Sequence, residues 1–407
     1  MKENKTKPDI RFKGFTDDWE QRKVSEITKF HKQGFYTTEE YNSSKKYYLL
    51  RGMDLNQNKL ELKDTPKINA TEKDYDTFKI KVGDFLVVRS GNVGTYGIVY
   101  EDIPAIFGSY LIDFRFDTKL VTNKFFGYFY ESDLFKNQLK KISQQSANTN
   151  INAENIKNTF ISLPILDEQT KIGQYFSHLD NLITLHQREC DQLKELKKTM
   201  LKKMFPRDDS NIPEVRFAGF TDDWEQRKLG ELLEKYEDPV ETPHDGYERL
   251  GIRSHAKGTF HSFVESGEEL NSARMHRVAA NKFILNITFA WEHAVAITDK
   301  NDEGKLVSHR FPQFSFDKCL KSNFFKFLIL DEKFRKNLEL SSPGGAGRNR
   351  VLKISDMLEY KIYLPSIDEQ TKIGQYFSHL DNLITLHQRE LEILKNLKKT
   401  CLKRMFI

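Results

Sequence analysis

Residues 167–189 read DEQTKIGQYFSHLDNLITLHQRE, and the same 23 residues recur without change at 368–390. A shorter stretch, GFTDDWEQRK at residues 14–23, recurs at 219–228. The segments between these copies have similar lengths but little likeness. Self-similarity of this kind indicates repeated structural units. The flanking segments repeat, whereas the segments between them differ. The sequence therefore predicts a repeated scaffold that carries two differently specialised globular arms.

The longer repeat has the apolar periodicity of a coiled coil. Steps of three and four from Phe176 reach seven apolar or cysteine positions out of nine, and the steps from Phe377 do the same. An average spacing of 3.5 residues is typical of a coiled-coil seam. Both seams have the same length and phase, so we expect the two helices to pair with each other. The alternative is two separate amphipathic helices, each packed on its own arm.

The linker between the two copies predicts the direction of pairing. The first helix ends at the entrance to the second arm, after a linker of eight residues, 206–213. The second helix leaves that same arm. If the arm begins and ends at neighbouring points, the two helices run antiparallel with one arm at each end. The pseudo-two-fold relation then brings the end of the second helix close to Asp9.

The predicted fold class is mixed α/β (α+β): two globular arms, two long antiparallel coiled-coil helices and a pseudo-two-fold internal repeat. A chain of 407 residues favours two or three domains. The predicted segments are a repeated block at 9–28, an arm at 29–162, a helix at 163–205, a linker at 206–213, a second block at 214–233, a second arm at 234–363 and a second helix at 364–407.

Composition restricts the class of protein only mildly. The net charge of +5 is compatible with a polyanionic partner but does not require one. The three cysteines lie far apart, which favours a reducing compartment over a disulfide framework. The sequence has no apolar run near the roughly 20 residues that cross a bilayer. We therefore expect a cytoplasmic protein.

Catalytic signatures are missing from the sequence. It has no Walker loop, no zinc-binding HExxH helix, no GxSxG elbow and no aminomethyltransferase signature. We expect no catalytic residues and no metal ligands in this chain. The histidines of the repeated helix are expected to be seam or surface residues, and Trp19, Trp224 and Trp291 are expected to pack in the interior.

Polar residues among glycines are the best candidates for contact with DNA. Arginine pairs bidentately with guanine, asparagine and glutamine pair with adenine, and glycine allows a close backbone approach. An ordinary polar surface loop is the alternative for each cluster. The candidates are Arg89, Ser90, Asn92, Gln144, Gln145, Ser146, Asn148 and Asn150 in the first arm, and Arg253, His255, Arg274, Arg277, Arg348, Asn349 and Arg350 in the second.

Several motifs resemble the specificity subunit of type I restriction–modification systems. Pro164 with Glu168-Gln169, and Pro365 with Glu369-Gln370, match the Pro-x-x-x-Glu-Gln helix start of that family. The stretch VGDFLVVRSG at 82–91 resembles a strand and loop of its target recognition domains, as do WEHA at 291–294 and RNRV at 348–351. The resemblance covers nearly the whole chain from about Asp9.

The resemblance implies a non-catalytic reader of double-stranded DNA. Each arm would be a target recognition domain for one half of a split, asymmetric target, and the paired helices would fix the spacer. The implied partners are methyltransferase subunits, which use S-adenosylmethionine, and restriction/translocase subunits, which use ATP and magnesium. The alternatives are a stand-alone DNA-binding regulator and a coiled-coil adaptor for other proteins.

Overall fold

A computed structural model of the chain describes residues 6–38, 44–56, 59–89, 95–143, 151–207, 210–268, 274–344 and 350–407. The chain forms two compact units, Met1–Gln187 with Arg389–Ile407, and Arg188–Gln388. Each unit contains one arm and portions of both long helices. Because this division cuts both helices, the segment boundaries given above remain a prediction.

The first half of the chain ends in a long helix. Its helices are α1 (Val24–Ile27), α2 (Glu72–Phe78), α3 (Asn123–Glu131), α4 (Asp133–Ser143), α5 (Ala153–Lys157) and α6 (Leu166–Lys203). Its strands are β1 (Glu20–Lys23), β2 (Thr28–Gln33), β3 (Tyr47–Leu50), β4 (Leu55–Asn56), β5 (Lys59–Leu60), β6 (Lys67–Ile68), β7 (Phe85–Val88), β8 (Tyr96–Ile98), β9 (Ala105–Phe107), β10 (Leu111–Phe116) and β11 (Phe160–Leu163).

The second half ends in the same way. Its helices are α7 (Ser322–Leu328), α8 (Glu332–Leu340), α9 (Ile354–Leu358) and α10 (Ile367–Arg404). Its strands are β12 (Glu225–Lys228), β13 (Leu233–Tyr236), β14 (Pro239–Val240), β15 (Tyr247–Ile252), β16 (Thr259–Val264), β17 (Met275–Arg277), β18 (Phe283–Leu285), β19 (Val295–Ile297), β20 (Leu306–Ser308), β21 (Gln313–Phe316) and β22 (Lys361–Leu364).

The two arms share one sheet architecture despite their unlike sequences. The first has a four-stranded sheet in the order β2-β10-β7-β8, and the second repeats it as β13-β21-β18-β19. In both, the repeated block supplies a strand that pairs antiparallel with the strand before the long helix, as β1-β11 and β12-β22. The mixed α/β prediction is confirmed, since each arm combines these sheets with short helices.

In each unit, an aromatic core packs the helices of the arm against its main sheet. In the first unit, Phe125, Phe126 and Phe129 of α3 are at most 1% exposed and pack with Phe85 of β7. Trp19 and Trp224, from the two repeated blocks, are 4% and 2% exposed. Their predicted core role is confirmed, because each lies in the main apolar cluster of its unit.

Within the first unit, the start of α6 packs antiparallel against the end of α10. Residues with increasing numbers on α6 contact residues with decreasing numbers on α10. Tyr175 Oη lies 3.6 Å from Cys401 Sγ, Asp180 lies 2.7 Å from Lys398 Nζ, and His186 Nδ1 lies 3.2 Å from Glu390. Ile10 N–H donates to Arg404 O at 3.1 Å, so the end of α10 reaches the residue after Asp9, as predicted.

Within the second unit, the end of α6 and the start of α10 have the same arrangement. Glu189 lies 3.2 Å from His387 Nδ1, and Lys197 Nζ lies 2.5 Å from Asp381. Val215 N–H donates to Lys203 O at 2.8 Å, which repeats the contact at Ile10. Mutual antiparallel pairing of the helices therefore holds inside each unit.

A buried ion pair joins each long helix to its repeated block. Glu168 is fully buried and accepts two hydrogen bonds from Arg11, at 2.7 and 2.8 Å. Arg216 makes the same pair with buried Glu369, at the same two distances. The carboxylate is the dominant cause that raises the pKa of each arginine.

The neighbouring glutamine closes the same junction through backbone groups. Gln169 donates to Leu120 O and Pro164 O at 2.9 Å and accepts from Thr122 N–H at 2.9 Å. Gln370 repeats this pattern in the second unit. The Glu-Gln pair therefore fixes the helix start against its arm.

Replacing Glu168 by glutamine is expected to destabilise the protein by about 3–5 kcal/mol, because partly buried Arg11 would lose its counter-charge. Urea unfolding followed by tryptophan fluorescence measures this change. Glu195→Gln is the control, since Glu195 is 70% exposed and lies 3.8 Å from Lys198. That change should alter stability by less than about 1 kcal/mol. Equal effects of the two substitutions would contradict the role given to the buried pair.

Candidate nucleic-acid interface

The candidate residue Arg89 lies at one end of the main sheet of the first arm. It follows β7, its N–H donates to Tyr110 O at 3.0 Å, and its carbonyl accepts from Ile151 N–H at 3.0 Å. Ile151 follows the second polar cluster, so the residues that border both predicted loops are hydrogen bonded. The other candidates of this arm, Ser90, Asn92, Gln144, Gln145, Ser146, Asn148 and Asn150, lie outside the described residues.

The second arm repeats this backbone arrangement with different side chains. Ile287 N–H donates to Arg310 O at 3.0 Å, and Leu352 N–H donates to Ile287 O at 2.8 Å. Ile287 thus takes the position of Arg89, and Arg310 takes the position of Tyr110. Since the backbone bonds match, the difference between the arms at this point lies in their side chains.

Several candidates of the second arm approach this sheet end. His309 N–H donates to Arg274 O at 2.9 Å, which places Arg274 beside the residue before Arg310. His255 N–H donates to Glu292 O at 2.9 Å, and the His255 backbone is left-handed, with φ of 60°. The side chains of Arg274 and His255 are exposed.

Arg253 and Arg350 each lie over an aromatic ring of the second arm. The Arg253 guanidinium is 5.2 Å from the centre of the Phe260 ring, and that of Arg350 is 5.6 Å from Trp291. Arg350 also lies 3.7 Å from Glu339. Trp291 is half-buried, with its Nε1 donating to Thr288 O at 3.1 Å, so the expected interior packing holds only in part. Arg348 and Asn349 lie outside the described residues.

Arg277 does not join this group. It lies at the far end of β17 from Arg274, where it pairs with Leu306, and its guanidinium is 3.6 Å from Asp238. A strand residue advances about 3.3 Å, so three residues separate the two arginines by roughly 10 Å. Its contact with DNA remains a prediction.

The structure adds exposed residues that sequence reasoning missed. In the second arm they include His309, Arg310 and Phe289, and in the first arm Tyr110 and Met53, which are 67% and 75% exposed. None lies in a glycine-rich stretch of the kind that predicts the other candidates. The adjacent basic residues His309 and Arg310, directly after β20, are a sequence cue that could have indicated this sheet end.

A buried acidic pair sits in the main sheet of the first arm. Asp84 and Asp113 are nearly inaccessible and share Arg115, with contacts of 2.7 and 3.1 Å. Burial, followed by repulsion from Asp84, raises the pKa of Asp113 to about 8, and Arg115 only partly offsets this. Asp113 Oδ1 has no hydrogen-bond partner among the described residues.

Comparison with known proteins identifies the arms. The family model described as type I restriction modification DNA specificity domain matches residues 16–195 and again 221–396. The chain belongs to this family. Both arms, each with its adjoining long helix, are therefore DNA specificity domains of the type I restriction–modification class.

Individual relatives agree with the family. The type I restriction enzyme MjaVIII specificity subunit of Methanocaldococcus jannaschii is 24% identical over 335 residues, covering 79% of this chain and 77% of the relative. The S subunit from M. genitalium, a crystal structure, has a TM-score of 0.56 at 15% identity and covers 98% and 99% of the two chains. The latter likeness supports the shared fold. Within the described ranges, no helix has the length and apolar content to cross a membrane.

The acidic pair predicts a pH dependence of this specificity domain. The pKa of Asp113 is about 8 when folded, above the ordinary 3.8, so the folded state holds a proton that the unfolded state has lost. This contribution to stability is complete below about pH 4 and is lost as pH rises to about 8. Asp113→Asn should therefore remove a decline of up to about 1.4 kcal/mol per pH unit between pH 5 and 7.

Urea unfolding at several pH values tests this expectation. Asp76→Asn is the control, because Asp76 is 69% exposed. It should leave the slope of stability against pH unchanged in this range. A wild-type slope that persists in Asp113→Asn would show that another group causes it.

Proposed function

We propose that this specificity subunit reads a bipartite, asymmetric DNA target, with one half-site for each arm. The observation that carries this proposal is the pair of matched backbone frames with unlike side chains at the same sheet end. Arg89 and Tyr110 in one arm stand where Ile287 and Arg310 stand in the other. Different side chains on equivalent frames favour different bases.

The paired helices are proposed to set the spacer between the half-sites. Antiparallel contacts inside each unit, such as Asp180 with Lys398 and Lys197 with Asp381, support a rigid connection. Rigid spacing of recognition elements determines half-site separation in other DNA-binding proteins.

The repeated helices are also proposed to bind two copies of a methyltransferase subunit. Equivalent sites suit identical partners. Residues 167–189 and 368–390 are identical even where side chains face solvent, as at Leu185 and Leu386, which are 47% and 50% exposed. Packing against the arms does not require identical residues at exposed positions of the helices. Binding of the same partner to both helices explains this identity better.

Catalysis is proposed to belong to these partners. The methyltransferase subunits would bring S-adenosylmethionine, and the restriction/translocase subunits would bring ATP and magnesium. This chain would be non-catalytic and would supply sequence choice. Its lysines and arginines would contact phosphates, so that affinity falls as salt rises.

Mapping methylated adenines across the genome, in cells with and without this chain, tests the proposal. A split motif that disappears with the chain is the expected result. An unchanged methylation map, together with specific DNA binding by the chain alone, would instead favour a stand-alone regulator. A chain with no salt-dependent affinity for duplex DNA would favour a protein adaptor.

Arg89→Ala and Arg348→Ala are expected to weaken binding to the mapped target far more than binding to a scrambled duplex. A direct base contact contributes roughly 1–3 kcal/mol of discrimination, which is about 5- to 150-fold. Competition binding at fixed salt measures the ratio. Arg335→Ala is the matched control, since Arg335 is already paired with Glu332 on α8. Equal losses on both duplexes would show that Arg89 and Arg348 contact phosphates.

A further inference from the structure

A cavity of about 390 Å³ opens at the sheet end of the second arm. It lies between the β15–β16 hairpin, β20 and the segment that follows β18. Its volume falls in the range of roughly 300–1,000 Å³ that is typical of small-molecule sites. We propose that this cavity binds one nucleobase rotated out of the duplex, an inference that rests on the DNA-reading function proposed above.

Aromatic side chains border the cavity. Phe260 and Phe289 both line it, and they are 40% and 38% exposed although they are large and apolar. Exposed aromatic rings provide stacking surfaces for unpaired bases. The Arg253 guanidinium lies over the Phe260 ring and adds positive charge beside the cavity. These features suit a planar, electron-rich ligand attached to an anionic backbone.

Polar groups inside the cavity favour particular bases. Asn286 Oδ1 accepts from Thr288 N–H at 3.0 Å, which leaves Nδ2 as a donor within the described part of the chain. The Glu292 carboxylate accepts from Ser254 Oγ at 2.7 Å and has no ion pair with a described residue. A carboxylate accepts from an exocyclic amino group, and an amide N–H donates to a ring nitrogen or carbonyl. Adenine and cytosine present both groups side by side, whereas thymine has no amino group.

The first arm differs at the same point. Val88 precedes Arg89 as Asn286 precedes Ile287, so the two residues are equivalent by the matched backbone bonds. Gly52 packs directly on Val88, since a Cβ built at Gly52 would lie 3.1 Å from Val88 Cγ2. The polar cavity is therefore assigned to the second arm, and Asn286→Val reproduces the residue of the first.

Fluorescent base analogues in the mapped target test this site. 2-Aminopurine replaces each adenine, and pyrrolocytosine each cytosine, one at a time across both half-sites. The full chain is used with the subunits that co-purify with it. We expect a rise in fluorescence at one position of a single half-site that persists when the co-purifying subunits are removed, because a methyltransferase would rotate its own target adenines. Phe289→Ala and Asn286→Val should lose this rise, while the first half-site keeps its specificity.

Phe263→Ala is the matched control. Phe263 is 57% exposed on β16 and does not line the cavity, so this variant should keep the fluorescence rise. A rise that persists in Phe289→Ala and Asn286→Val would assign the rotated base to another subunit and overturn the proposal. Specific binding without any rise would overturn it too, while leaving the DNA-reading function intact. Equal affinity for target and scrambled duplexes would reject the DNA-reading function itself.

Discussion

The buried pair of Glu168 with Arg11, and its copy Glu369 with Arg216, is the constraint on which each unit depends. A fully buried carboxylate is tolerated because two charge-assisted hydrogen bonds replace its water. The adjoining glutamine satisfies backbone groups of the arm at the same point. These bonds set the position and direction of each long helix at the point where it leaves its arm. The helices could not act as a spacer without this fixed geometry.

Backbone hydrogen bonds maintain the sheet architecture that the two arms share, and the arms differ in their side chains. The main sheets have the same strand order, although the sequences have little likeness. The bond from Arg89 to Tyr110 and the bond from Ile287 to Arg310 require no particular side chain. Side chains at strand ends can therefore change without loss of the fold, which is the property that a family of variable DNA readers needs.

The helices and the repeat could be predicted from the sequence, but the spatial neighbours of the candidate site residues could not. The seam from Phe176 to Met204 was predictable because its period is local, and the short linker 206–213 implied antiparallel pairing. Arg310 and Asn286 were not predictable, since their neighbours at the sheet end come from strands far away in sequence. Strand direction in β17 decides that Arg274, and not Arg277, lies at this sheet end, and composition does not encode that direction. Glycine-rich stretches predicted loops that fall largely outside the described residues, and they did not indicate the residues beside those loops.

Equivalent positions of the two long helices meet different arms, and the consequences appear at one lysine of each helix. Lys398 lies 2.7 Å from both Glu131 and Asp180, and burial that would lower its pKa is outweighed by these carboxylates. Among the described residues, its counterpart Lys197 pairs with Asp381, 2.5 Å away, and lies over the ring of Phe327. A second carboxylate is needed where the lysine is buried, because an unpaired interior charge is costly. The inner surface of each arm therefore matches the charge of the lysine that a long helix presents to it, through Glu131 in the first arm and the Phe327 ring in the second.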